Sequence, residues 1–186
     1  MVHNKTMSDP ENNMTAREWL ESRMQDPRFA AMRARQEAEI AAAKVMFAAD
    51  QRGMLAELAA AGEVVGSVYD FVNREAPPTA EAIVVLCKHL SVPHHVRIMD
   101  GIVRALTVPE ARGEPAQQVL AALQRSTKRE EEPVRWACLN ALRVIGDRSI
   151  VEPLETMRSN GTLGVSDERM INAAMRACNK RKPLPG

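Results

Sequence analysis

The sequence predicts an all-α fold, a helical N-terminal region followed by a run of helical hairpins. Three observations carry that expectation. Ala, Leu, Met, Arg and Glu dominate, which is helix usage, and only six of 186 residues are aromatic, whereas sheets favour aromatic and β-branched side chains. Apolar residues recur at roughly one-turn spacing in segment after segment. One short helical pattern also returns at intervals of 36 residues in the second half of the chain. The length and the 45% apolar content are enough for one buried core, with or without an N-terminal extension.

Residues 1–14 lack a periodic apolar pattern and read as a mobile tail. Residues 15–78 form the N-terminal helical region. Thr15 and Glu18 make a capping-box pair, in which each side chain satisfies the other's free backbone N–H, so a short helix starts there and carries Trp19 and Leu20. Asp26-Pro27 is a second start signal: an N-cap acceptor precedes a proline whose missing donor costs nothing at the first helical position. The long helix that follows sets Phe29, Met32, Ile40, Phe47, Met54 and Leu58 against charged residues on its other face. Gly53 is expected to break or bend it and Gly62 to end it. Val64 to Val72 form another short apolar-faced segment, closed by Pro77-Pro78.

Residues 79–182 carry the repeat. Ile98, Val134 and Met170 are apolar at equivalent places, as are Leu106, Leu142 and Cys178, while Gly101, Ala137 and Ala173, and then Ala105, Ala141 and Ala177, are small. These positions fall at i, i+3, i+4, i+7 and i+8, one stripe of a helix. A second helical stretch precedes each of them, over 79–90, 115–127 and 150–160. The unit is therefore a hairpin of two helices. No single hairpin can bury its apolar face alone, and the small residues let neighbouring helices approach closely, so the three should stack.

The stretch Pro133-Val134-Arg135-Trp136-Ala137, followed by Ala141-Leu142 and Ile145-Gly146-Asp147, resembles the second helix and following turn of a HEAT repeat. The first unit departs from that pattern at Thr107-Val108-Pro109, and the third ends in Lys180-Arg181-Lys182-Pro183, as a terminal cap might. The resemblance implies a short HEAT-like α-solenoid with an N-terminal helical extension. It also implies a binding scaffold, since such repeats rarely catalyse.

Several function classes are not supported. The longest uncharged apolar run, Ala82 to Cys87, falls far short of the roughly 20 residues that span a bilayer, and the polar start lacks the apolar stretch of a secretory signal. A cytoplasmic protein with no membrane partner is expected. Cys87, Cys138 and Cys178 are odd in number and sit at apolar helical positions, which suits buried free thiols in a reducing compartment. No phosphate loop, zinc-helix motif or cysteine pair at metal spacing is present, so no catalytic residue, cofactor or metal is assigned. Cys87, His89, His94 and His95 could each bind a transition metal, but their spacing is irregular, and turn histidines beside a buried cysteine need no metal. Glu130-Glu131-Glu132 reads as a solvated helix start, where the dipole favours carboxylates.

Beside the buried stripe the second helices present Arg97, Arg104, Arg135, Trp136, Asn140, Arg143, Arg169, Asn172 and Arg176. In HEAT-like stacks these helices line the concave surface, so equivalent residues such as Arg104, Asn140 and Arg176 become rungs of one groove. Arg offers forked donors for carboxylates and phosphates, and Trp is a frequent binding anchor. The same arginines read equally well as solvated helix residues, with Trp136 in the core. Residues 79–186 carry 16 Lys and Arg against 12 Asp and Glu, and residues 1–78 carry 9 against 12. The expected partner is a protein with an acidic surface, in the manner of a toxin-immunity protein or an adaptor. The alternative is nucleic acid, because HEAT-like folds include DNA glycosylases with basic grooves, although so small a cationic surplus neutralises few phosphates. For a third reading, a HEAT-like enzyme of the lyase-associated type, no residue stands out as acid or base.

Overall fold

The computed structural model describes residues 14–161 and 165–182. The expected tail over 1–14 therefore lies, up to residue 13, outside the described residues. The described chain is helical, with no strand. It divides into two compact units at Met46 and Phe47.

The first unit holds α1 (Ala16–Met24) and the start of α2 (Pro27–Ala60). The Thr15 hydroxyl accepts from the Glu18 N–H at 3.3 Å, and the Thr15 N–H donates to the Glu18 carboxylate at 2.8 Å, which is the predicted reciprocal cap. Asp26 accepts from the Arg28 N–H at 2.9 Å and starts α2. Trp19 meets Phe29 edge to face, with ring centroids 6.0 Å apart. No described side chain of this unit is fully buried.

Contrary to expectation, α2 runs through Gly53 unbroken. A Cβ at Gly53 would meet nothing within 4 Å. A lone exposed glycine costs a helix only about 1 kcal/mol, which 34 continuous residues can carry. Gly62 is the true end. At φ +87 it takes the left-handed conformation, its N–H donates to the Ala59 carbonyl, and the Glu63 N–H donates to the Leu58 carbonyl at 2.9 Å, a Schellman closure.

The second unit begins at Phe47, inside α2. The diproline is thus not where compactness changes, and the physical reason is visible. Met54 and Leu58 are fully buried, and Glu63 reaches across the connection to accept from both terminal nitrogens of Arg74, at 2.8 and 3.0 Å, and from the Thr79 N–H at 3.0 Å. Gln51 likewise accepts from the Val68 N–H at 3.2 Å. The segment read as one apolar element over 64–72 forms only a turn and the short α3 (Asp70–Asn73), with Val68 and Phe71 buried and Val64 exposed.

Three hairpins follow: α4 (Ala80–Leu90) with α5 (Val96–Ala105), α6 (Glu114–Arg125) with α7 (Glu132–Ile145), and α8 (Val151–Ser159) with α9 (Val165–Cys178). Within each hairpin the two helices pack together. Between hairpins α5 packs on α7, α7 on α9, and α4 on α6. The shared core contains Leu86, Ile102, Leu106, Leu139, Leu142 and Ile145, all fully buried. Ala105, Ala137 and Ala141 are buried at the predicted close approaches, while Ala173 and Ala177, on the last described helix, are half-buried, with no further hairpin packed on them among the described residues. Gly101 packs differently from its repeat equivalents: a Cβ there would lie 2.5 Å from Val68 Cγ1 and 3.2 Å from the Tyr69 ring. It admits the 64–73 segment, not a neighbouring hairpin.

Candidate binding face

The middle helix α7 decides the face, because it has a neighbour on each side. Toward α5, Trp136 lies 43% exposed with the Arg104 guanidinium 5.1 Å from its ring centroid. Arg104 does not stand free. Its Nε donates to Asp100 Oδ2 at 2.8 Å, and this pairing holds the guanidinium more firmly protonated. The Tyr69 hydroxyl lies 2.9 Å from the same carboxylate oxygen and 2.9 Å from the Arg97 carbonyl, so its one proton is shared between them. Burial, and then Asp100, pushes the Tyr69 phenol up to about 12, which keeps it a donor. Asp100 Oδ1 is buried without a hydrogen-bond partner.

Toward α9 the expectation fails for Arg135. It is 8% exposed, with Nε donating to Asp167 at 3.1 Å and Nη1 to the Lys128 carbonyl at 2.6 Å. Arg135 is an internal clamp between α7, α9 and the turn before α7, because α9 covers that flank. It does not belong to a surface.

The other predicted residues divide. Arg97 is exposed, with its guanidinium 5.8 Å from the Phe47 ring centroid. Arg143, Arg169 and Arg176 are exposed and make no ion pair among the described residues. Asn140 is half-buried, and so is Asn172, which accepts from Arg158 at 3.1 Å. The structure thus joins Arg104 to Trp136 directly, and leaves Arg143, Arg169 and Arg176 as unpaired cations on α7 and α9. Sequence reasoning missed Tyr69 as the group that fixes Asp100. Its only trace was a tyrosine in an apolar segment.

The histidines form a second constellation. His94 Nδ1 is 2.8 Å from Asp50 Oδ1, His94 Nε2 is 2.9 Å from His89 Nδ1, and the His95 N–H donates to Asp50 Oδ2 at 2.7 Å. An ionised Asp50 makes His94 Nδ1 the donor, so His94 Nε2 accepts from His89 Nδ1. His89 Nε2 is then a buried acceptor with no hydrogen-bond partner, 3.6 Å from Glu57. Burial holds His89 below the usual histidine range. His94 and His95 also line a cleft of about 560 Å³ with Arg125, Lys128 and Glu131. Cys87 stands outside this chain of contacts. No group of three or more His, Cys, Asp or Glu among the described residues is arranged to hold a metal. The network pins α2 to the turn between α4 and α5.

The three cysteines are free, and burial pushes their thiols up, Cys87 and Cys178 to about 11 and Cys138 to about 12. No described helix is long and apolar enough to cross a membrane. Comparisons with protein-family models, curated proteins and solved structures return no match.

Proposed function

We propose that residues 79–182 act as a short HEAT-type stack that binds a protein with an acidic surface through the face of α5, α7 and α9. The observation that supports it most is the Arg104–Trp136 pair. A large aromatic ring left 43% exposed, beside a guanidinium already oriented by Asp100, has the composition and preorganisation of a binding anchor. The unpaired Arg143, Arg169 and Arg176 give the surrounding surface the sign that would steer an acidic partner. Three free thiols, those of Cys138 and Cys178 buried and that of Cys87 half-buried, suit a cytoplasmic setting and with it a non-catalytic immunity or adaptor role.

The test uses the intact chain with Arg104→Glu and Arg176→Glu together. A partner recovered with the parent chain should be lost with this variant at unchanged helical signal. Unaltered capture by a folded variant rejects the face, and retention of duplex DNA at about 50 mM salt, with no protein partner, replaces the reading with the nucleic-acid one.

A further inference from the structure

Beyond Phe29, whose ring meets Trp19, the start of α2 presents a surface that no described residue of its own unit covers. Met32 and Ile40 are 47% and 55% exposed, and α1 carries Trp19, Leu20 and Met24 at 39%, 37% and 45%. Phe29, Met32, Gln36, Ile40 and Ala43 are spaced by three, four, four and three residues, so they share one face of the helix. Gln36, Ile40 and Ala43, with Glu39, line a shallow groove of about 300 Å³ on that face.

The order of residues says which helix that is. About Gln36 the segment is a charge mirror: Arg35 stands opposite Glu37, Arg33 opposite Glu39, Met32 opposite Ile40 and Phe29 opposite Ala43. Within one chain these charges make i,i+4 pairs, Arg33 with Glu37 at 3.3 Å and Arg35 with Glu39 at 2.9 Å, which places one pair on each flank of the apolar stripe. We infer that this stripe is a homodimer interface, formed by a second copy of the chain packing antiparallel on it about a two-fold axis at Gln36.

A two-fold pairing maps the stripe onto itself. Met32 meets the partner's Ile40, and Phe29 meets the partner's Ala43. On one flank Arg33 comes beside the partner's Glu37, and on the other Arg35 comes beside the partner's Glu39, so each flank carries two positive and two negative charges and no row of like sign. A parallel pairing would instead set Arg on Arg and Glu on Glu. Beside the axis Glu37 comes near the partner's Glu37 on one flank and Arg35 near the partner's Arg35 on the other, but each also lies next to an opposite charge of its own chain and of the partner, Arg33 for Glu37 and Glu39 for Arg35. Isologous interfaces require such self-complementarity. The paired segments are about 22 Å long at 1.5 Å per residue, so the interface falls at the small end of specific contacts and dimerisation is reversible. This inference is independent of the face proposed above.

Sedimentation equilibrium on the full chain, from about 1 to 200 µM to bracket a small interface, should show mass rising toward twice the monomer. Arg33→Glu with Arg35→Glu makes the flanks all acidic, and Glu37→Arg with Glu39→Arg makes them all basic. Each variant alone should remain monomeric over the whole range, and mixing the two should restore a dimer containing one of each. Gln36→Cys, which leaves all four charges in place, should form a disulfide-linked dimer under mild oxidation, whereas Val45→Cys, on the opposite face, should not. A parent chain that stays monomeric throughout, charge variants that still self-associate, or equal cross-linking at positions 36 and 45 would each overturn the inference.

Discussion

The guanidinium of Arg104 lies 5.1 Å from the centroid of Trp136, a residue of the next hairpin, while its Nε is held by Asp100 at 2.8 Å. The contact joins two repeats at the surface, and Asp100 sets its geometry. Arg104→Ala and Trp136→Ala should therefore not add. A double-mutant cycle by chemical denaturation is expected to give a coupling of about 0.5–1 kcal/mol, and Asp100→Asn should shrink it, because the neutral amide no longer fixes the guanidinium. Additive single variants would show the stacking to be energetically idle.

Ala141 is fully buried on α7, between two neighbouring helices. Ala141→Arg must either bury an unpaired charge or separate the hairpins, and should cost more than about 4 kcal/mol, enough to unfold a domain of ordinary stability. Arg143→Ala, two residues on and exposed, should change stability by no more than about 0.5 kcal/mol. Equal melting of Ala141→Arg and the parent chain would count against the stacked arrangement.

Gly101 leaves no room for a methyl group, since a Cβ would approach Val68 Cγ1 to 2.5 Å. Gly101→Ala should destabilise by about 1–3 kcal/mol through overpacking, even though alanine is the better helix former. Val68→Ala opens space at the same point. The pair Gly101→Ala with Val68→Ala should then be less destabilised than the sum of the two single changes, which denaturant titrations measure directly.

Acid should weaken the fold in two stages. Burial lowers the folded-state affinity of His89 for its proton, so the unfolded chain binds that proton more tightly. Stability from this group is complete above the unfolded value near 6.5 and is lost as pH falls below it. Glu63 is held at about 2, against 4.5 unfolded, first by its hydrogen bonds from Arg74. Its contribution is complete above about 4.5 and disappears toward 2. Thermal melts between pH 8 and pH 3 should fall below 6.5 and again below 4.5. Glu63→Gln should flatten the second fall and leave the first.

Much of the helical layout follows from local chemistry and is legible in the sequence. The reciprocal cap of Thr15 and Glu18, the Asp26-Pro27 start and the left-handed Gly62 depend on neighbours within five residues, and each sits where the local pattern places it. The 36-residue spacing marks Ala105 and Ala141 as buried because a core stripe has a fixed helical period. Gly53 shows the limit of such local rules. A helix-weakening residue ends a helix only when nothing else sustains it, and the helix on either side of Gly53 is long enough to continue.

The site was decided by packing between distant segments. Periodicity identifies the buried stripe of α7, but Arg135 and Trp136 both lie just beside it, and their local pattern assigns them alike. They part because α9 brings Asp167 to Arg135 from 32 residues away, whereas α5 brings to Trp136 the guanidinium of Arg104, over its ring, and leaves that ring partly exposed. Asp50 reaches His94 across 44 residues, and Tyr69 reaches Asp100 across 31. A one-dimensional pattern records how each helix must face. It does not record which flank a neighbouring helix will cover, and that coverage is what separates a buried clamp from an exposed anchor.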